Sequence, residues 1–252
     1  MNNIKDQENL SHKIVLLRLD LNVPLKDDLI TDETRINKII PVVNFLIEKK
    51  SKILIISHIG RPKGQINKIF SLKPVCLNLE KKINKKIKLL NDNIFKLKKN
   101  DLFKSPHDQI VFLENIRFYK EEEENDTSFA KHLARLADFY VNDAFSCSHR
   151  AHASLSKITK FIPSFAGLQL ETEINALKKV TTEIKKPITC IIGGSKISTK
   201  IGVLSNLIKN SDNLIIVGAM ANNFLKYNGF EIGASLVEKK TKNIIRKIYL
   251  LS

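Results

Sequence analysis

The chain has 252 residues, 43% of them hydrophobic and 27% charged, which is ordinary globular composition and enough to bury one sizeable core and part of a second. No apolar run approaches the ~20 residues that cross a bilayer, and the N-terminal MNNIKDQENLSHK is polar where a secretory leader needs an apolar stretch, so a cytoplasmic protein with no membrane partner is expected. The formal charge of +16 raises nucleic acid as a partner, but the lysines are scattered in short clusters such as Lys81 to Lys88 and no reading motif accompanies them, so a solvated basic surface is expected instead.

Short runs rich in Ile, Val and Leu, each bounded by turn residues, predict strands at 13–19, 53–57, 109–113, 139–142, 188–192 and 214–217. Between them the spacing changes to that of helices. The stretch 34–50 carries Ile36, Ile39, Ile40, Val43, Leu46 and Ile47 on one stripe, 128–137 carries Phe129, Leu133 and Leu136, and 166–181 carries Leu170, Ile174 and Leu177. Apolar strands alternating with helices imply a doubly wound, Rossmann-like parallel sheet of the α/β class, in which ligands bind beyond the carboxyl ends of the strands. Cys76, Cys147 and Cys190 are far apart and show no C-x-x-C spacing, so reduced thiols are expected rather than disulfides or a zinc site.

Every polar motif follows a predicted strand. DLNVP (Asp20 to Pro24), SHIGRPKG (Ser57 to Gly64), LENIRFY (Leu113 to Tyr119), NDAFSCSHRAHAS (Asn142 to Ser154) and GGSK (Gly193 to Lys196) come after the first five strands in turn. The chain holds seven arginines against thirty-five lysines, yet Arg35, Arg61, Arg117 and Arg150 all sit in such polar stretches. A guanidinium offers a rigid fork of donors matched to carboxylate or phosphate oxygens, where an ammonium is a point charge. Asp20 and Asn22 could equally cap a turn, and His58 could satisfy a carbonyl. Loops at one edge of a sheet nevertheless share a cleft, and their convergence argues for a basic site for a small polyanion. In GGSKISTKI two glycines allow close backbone approach, and Lys196 and Lys200 stand one helical turn apart, which admits phosphate binding at a helix start. Neither a Walker A loop nor a G-x-G-x-x-G loop is present.

The motifs RLDLNVP, ITDETRI, SHIGRPKG, LENIRFYKEEEEND, NDAFSCSHRAHAS and IIGGSKISTKI resemble, in order and from about residue 13 onward, the motif set of phosphoglycerate kinase. The resemblance implies a two-domain enzyme that moves a phosphoryl group reversibly between 1,3-bisphosphoglycerate with ADP and 3-phosphoglycerate with MgATP, the family usually being monomeric. It implies a 3-phosphoglycerate-binding domain over 1–166, an inter-domain helix over 167–182 and an incomplete nucleotide-binding domain over 183–252. Asp20 and Asn22 are then expected to bind the glycerate backbone, and His58, Arg61, Arg117 and Arg150 its non-transferred phosphate. Arg35 is expected to face the transferring phosphoryl. Gly193, Gly194, Lys196, Lys200 and Gly218 would serve the nucleotide, with Lys196 also reaching the transferring group.

Two departures from the family pattern stand out. VGAMANNF (Val217 to Phe224) keeps Gly218 but has Val217 and Ala219 where the family has a glycine run, and SCS (Ser146 to Ser148) replaces a G-T-A-like run. The family's Gly-Gly-Gly-Asp loop and the acidic residue expected to hold Mg²⁺ have no counterpart up to Ser252, so no metal ligand is expected within this stretch. The stretch by itself is expected to turn over little or no substrate, and a non-catalytic protein that binds only 3-phosphoglycerate is the alternative. An unpaired sheet edge and an exposed apolar face are expected in the second domain.

Overall fold

A computed structural model describes residues 2–105, 108–183 and 185–251; the outer limits expected for the two domains, Met1 and Ser252, lie outside the described residues. In chain order come β1 (Ile14–Leu19), a small hairpin of β2 (Leu25–Lys26) and β3 (Leu29–Ile30), α1 (Thr34–Glu48), β4 (Lys52–Ile56), α2 (Lys73–Ile83), β5 (Ile87–Leu90), α3 (Lys99–Leu102), β6 (Ile110–Leu113), α4 (Lys120–Glu123), α5 (Thr127–Arg135), β7 (Phe139–Asp143) and β8 (Ser164–Ala166). Helix α6 (Leu168–Thr181) follows, then β9 (Thr189–Gly193), α7 (Ile201–Asn210), β10 (Asn213–Val217), α8 (Ala219–Tyr227) and α9 (Lys242–Tyr249). The chain divides into two units, the first ending at Ile174 and the second starting at Asn175, so the division falls inside α6.

The first unit is a six-stranded parallel sheet in the order β5-β6-β4-β1-β7-β8. Its central strands are mostly apolar because both faces are covered, and successive residues alternate between two cores. Val15, Leu17, Leu19, Ile53, Ile55, Ile110 and Phe112 face one core with Ile36, Ile39, Val43 and Leu46 of α1 and Val75 and Leu79 of α2. Ile14, Leu16, Leu54, Ile56, Val111 and Leu113 face the other, with Phe129, Ala130 and Leu133 of α5. From β1 the chain winds to one side through β4, β5 and β6, then crosses back to lay β7 on the other side of β1. The order therefore reverses at β1 and β7, the place where doubly wound sheets open a crevice beyond their carboxyl ends.

The six predicted strands are present as β1, β4, β6, β7, β9 and β10, within about two residues at each end. Four others were not legible. β5 overlaps the lysine-rich stretch 81–88 and is an edge strand with only Ile87 buried, so its alternation is masked by charge. β8 is three residues long, and the β2–β3 hairpin turns on Asp27 and Asp28, both at positive φ, where aspartate is tolerated.

In the second unit the parallel pair β9 and β10 packs Ile192, Leu214 and Ile216 onto a core of Ile197, Leu204, Met220, Phe224, Ile245 and Ile248. The opposite face leaves Ile191 69%, Ile215 47% and Val217 41% exposed, which is the exposed apolar face expected from the sequence.

Leu54 is fully buried between β1 and β6, so Leu54→Ala is expected to destabilise the first unit by about 2–5 kcal/mol. The check is a lower urea midpoint by far-UV circular dichroism with the native spectrum retained in buffer; a midpoint equal to wild type would contradict the packing described.

Candidate active site

The parity of β1 decides the first feature of the site. Arg18 has the same alternation as Ile14 and Leu16, so it enters the core on the α5 face, where it is only 1% exposed. A guanidinium there must find acceptors for its donors. Its Nε–H donates to Ser154 Oγ at 3.1 Å, its Nη1–H to the Leu19 carbonyl, and its Nη2–H to His58 Nδ1 at 3.0 Å. Ser154 in turn donates its N–H and its hydroxyl to the fully buried Glu122, at 2.9 and 2.6 Å. Burial, with lesser contributions from Arg18, Arg117, Arg150 and His152, pushes the His58 imidazole far below its ordinary range, so it stays neutral. Burial also lowers His152, to about 4, with Arg117 and Arg150 acting in the same sense.

The loop after β1 forms the second wall. Asp20 accepts from Arg35 Nη1 at 2.9 and 2.8 Å on its two oxygens and from the Ser146 hydroxyl. Arg35 reaches it from the first turn of α1, whose start is fixed by Asp32 Oδ1 accepting the Thr34 N–H at 2.8 Å. Asn22 accepts the Gly60 N–H at 2.9 Å, tying the β1 loop to the β4 loop. Asp20, Arg35, Lys38, Asp143 and Ser146 line a cleft of about 220 Å³. Asp143, at the end of β7, accepts the Leu170 N–H at 2.9 Å, and burial raises its carboxyl to about 6.

The third wall is the loop after β6. Arg117 is 2% exposed; its Nη1–H donates to the Gly60 carbonyl at 2.9 Å and its Nε lies 3.4 Å from Glu123, while its Nη2 is buried without a hydrogen-bond partner. Burial lowers the Arg117 pKa and Glu123 opposes that shift. An unpaired guanidinium donor is costly unless an acceptor arrives, so this atom points to an anionic ligand. Gly60 is required at the junction: its φ is +62°, and a Cβ there would lie 2.3 Å from the Phe70 ring. Arg61 is exposed and Arg150 half-buried, and neither side chain makes a hydrogen bond or ion pair among the described residues. The predicted residues Asp20, Asn22, His58, Arg61, Arg117 and Arg150 thus lie in the segments that follow β1, β4, β6 and β7 at the carboxyl edge of one sheet, and Arg35 joins them from the first turn of α1.

Asp20, His58 and Cys147 also bring three possible metal-ligand atoms within 4.8 Å of one another. The setting favours an anion over a cation: His58 Nδ1 is engaged by Arg18, Asp20 by Arg35, and Arg117 and Arg150 add positive charge.

In the second unit Gly193 ends β9 and Gly194 follows at φ +153°, with the Lys200 side chain against it: a Cβ at Gly194 would meet Lys200 Cε at 3.0 Å. The sequence placed Lys196 and Lys200 on one face of a helix, and this is corrected. A 3₁₀ turn, Ser198–Lys200, precedes α7, which begins only at Ile201, so exposed Lys196 stands before the helix. Two contacts hold the turn there: Ile197 is buried in the core, and Glu238 accepts from the Ser198 N–H at 3.1 Å and from its hydroxyl. Gly218 caps α8 at φ +67° with open space around it, while Val217 packs against Gly193, where a Cβ would lie 3.0 Å from its Cγ2.

Comparison with known proteins decides the family. The family model described as phosphoglycerate kinase matches residues 4–251. The chain belongs to the phosphoglycerate kinase family. A phosphoglycerate kinase of Wolbachia pipientis wMel is 48% identical over 248 residues, covering 98% of this chain and 62% of that protein. One from Dictyoglomus turgidum is 45% identical over 241 residues, covering 96% of this chain and 61% of its own length. The phosphoglycerate kinase structure from Coxiella burnetii superposes with a TM-score of 0.88 at 39% identity, and that from Pyrococcus horikoshii OT3 with 0.80 at 28%; they cover 98% and 99% of this chain, and each is itself 62% covered. The chain therefore spans about three fifths of the length of the phosphoglycerate kinases it matches.

Sequence reasoning left Arg18, Glu122, Ser154 and Asp143 without roles. For Arg18 the signal was available, since an arginine inside the buried run IVLLRL has to be paired. Glu122 was hidden in the run KEEEEND, which reads as a solvated face, although it is fully buried.

Asp143 supplies a pH test. Its folded pKa of about 6 lies above its unfolded value, so the folded state binds the extra proton and loses stability as pH rises through about 4 to 6. Asp143→Asn keeps an acceptor for Leu170 and removes that loss. It is expected to raise stability at pH 7.5 by an amount on the order of 2 kcal/mol and to match wild type near pH 4, read as urea midpoints at the two values; equal midpoints at pH 7.5 would contradict the burial argument.

Proposed function

We propose that this protein takes part in the reversible transfer of a phosphoryl group between 1,3-bisphosphoglycerate with MgADP and 3-phosphoglycerate with MgATP, the reaction that carries the family's name, as a cytoplasmic monomer in glycolysis and gluconeogenesis, with little or no turnover by the 252-residue stretch alone. The observation that carries the reading is the convergence of Arg117, His58, Arg61 and Arg150 on one sheet edge, with a buried Arg117 donor that lacks a partner. Phosphate dianions are matched by such guanidinium forks, and a neutral imidazole beside them adds a donor without adding a desolvated charge.

In this reading Asp20 and Asn22 hydrogen-bond the glycerate backbone, and His58, Arg61, Arg117 and Arg150 hold the phosphate that stays. Arg35 stands in the cleft beside Asp20 and faces the phosphoryl that moves. Phosphoryl transfer has little covalent chemistry for a protein to perform, so the chain's part is to fix the acceptor and neutralise the equatorial oxygens. On the other substrate, Gly193 and Gly194 let the backbone approach a phosphate, Lys200 serves the nucleotide phosphates with Gly218 nearby in sequence, and Lys196 reaches the transferring group. Mg²⁺ enters as part of the nucleotide substrate. The 167–182 connector, which contains α6, is the proposed hinge that brings the 1–166 and 183–252 parts together and excludes water from the acyl phosphate.

Calorimetric titration of the 252-residue chain with 3-phosphoglycerate at moderate salt is the test. Binding in the micromolar to millimolar range is expected, with Arg61→Ala losing at least about ten-fold in affinity through removal of a charge-assisted contact. Folded protein that takes up no 3-phosphoglycerate would overturn the site assignment.

A further inference from the structure

The ligand-facing state of His58 is set from behind the site. We propose that Glu122, Ser154 and Arg18 form a buried positioning relay that holds His58 as a neutral imidazole with its single proton on Nε2, where it can be donated to an anionic ligand.

The direction of each link follows from donor chemistry. A guanidinium has donors only, so the 3.0 Å contact between Arg18 Nη2 and His58 Nδ1 requires a lone pair on Nδ1. A neutral ring then carries its proton on Nε2, and that nitrogen makes no hydrogen bond among the described residues. Behind it, Ser154 Oγ accepts from Arg18 Nε and donates to Glu122 Oε1, so the hydroxyl is oriented by both neighbours. Ser154 is fixed further through its N–H to Glu122 Oε2 and through its carbonyl, which accepts the Tyr140 hydroxyl at 2.5 Å. Glu122 also accepts the Ala153 N–H on its backbone carbonyl at 2.9 Å, which pins the segment carrying Ser154 to α4.

The relay explains why a carboxylate and a strand arginine lie in a core that packing alone would fill with apolar side chains. Buried groups that satisfy one another fully specify a single arrangement, whereas a partly satisfied set would not. Arg18 is a positioning residue: its donors are used on Ser154, Leu19 and His58. A lysine could supply the charge but could not hold the hydroxyl and the imidazole in one plane.

The test is a long-range ¹H–¹⁵N correlation of histidine-labelled, ligand-free protein, in wild type and in Ser154→Ala, which removes the hydroxyl that joins Arg18 to Glu122. The expected wild-type result is one protonated nitrogen, Nε2, and one bare nitrogen, Nδ1; Ser154→Ala is expected to show exchange between tautomers. A wild-type ring protonated on Nδ1, or a variant ring identical to wild type, would overturn the relay. Because no ligand is present, the wild-type spectrum decides the relay even if the variant folds poorly. A second arm rests on the proposed glycerate site: 3-phosphoglycerate should move the His58 Nε2 proton resonance, and Ser154→Ala should raise its Kd by about ten-fold. An Nε2–H ring that 3-phosphoglycerate leaves unmoved would still support the relay and would count against the glycerate reading.

Discussion

Everything at this sheet edge depends on one constraint: positive charge is held inside a core. Arg18 occupies a strand position that alternation assigns to the α5 face, and it remains there because Ser154, the Leu19 carbonyl and His58 take up its donors. Glu122 supplies the opposite charge one hydroxyl away. Leaving any one of these polar groups unmatched would cost more than the bond itself contributes, so the set is retained or lost together. Arg117 follows the same logic but is left incomplete: Nε has only the ion pair with Glu123, and Nη2 has no partner among the described residues. A site whose last hydrogen bond must come from outside the chain is organised for a ligand before the ligand arrives, which lowers the ordering cost of binding.

Topology turns these local facts into a site. The loops after β1, β4, β6 and β7 meet because the winding order reverses at β1 and β7. The loops are then tied to one another by side-chain hydrogen bonds: Asn22 and Arg117 to the Gly60 backbone, and Ser146 to the Asp20 carboxylate. Gly60 is central to this, since its N–H and its carbonyl serve two different loops and its positive φ excludes a larger residue without strain. Arg35 differs from the buried Arg18 and Arg117 in being half-exposed, and it is paired with Asp20.

Much of this was legible from the sequence, and the parts that were not have physical reasons. Uninterrupted apolar runs such as IVLL and ILII could only be strands covered on both faces, and the motifs after them then had to share an edge. Strand β5 escaped because an edge strand tolerates lysines, and β8 because three residues show no period. The arginines of the proposed glycerate site could be singled out because arginines in polar stretches are chemically conspicuous in a lysine-rich chain, and Asp20, Asn22 and His58 because they share the segments after the strands. Glu122 and Ser154 were not, because their importance comes from burial, and burial of Glu122 within a run of four glutamates depends on tertiary packing. The start of α7 was misplaced for a similar reason: Glu238, forty residues downstream, takes the Ser198 N–H and holds a 3₁₀ turn where the local sequence reads as helix.

The measurement that bears most directly on the account is the resonance of the Arg117 guanidinium Nε–H and Nη–H groups during titration with 3-phosphoglycerate. The account predicts that these protons shift and slow their exchange with water as the unmet Nη2 donor gains an acceptor, while the backbone of the sheet stays in place. Shifts confined to surface lysines, with Arg117 unchanged at saturation, would show that the buried charge serves the fold alone and would contradict it.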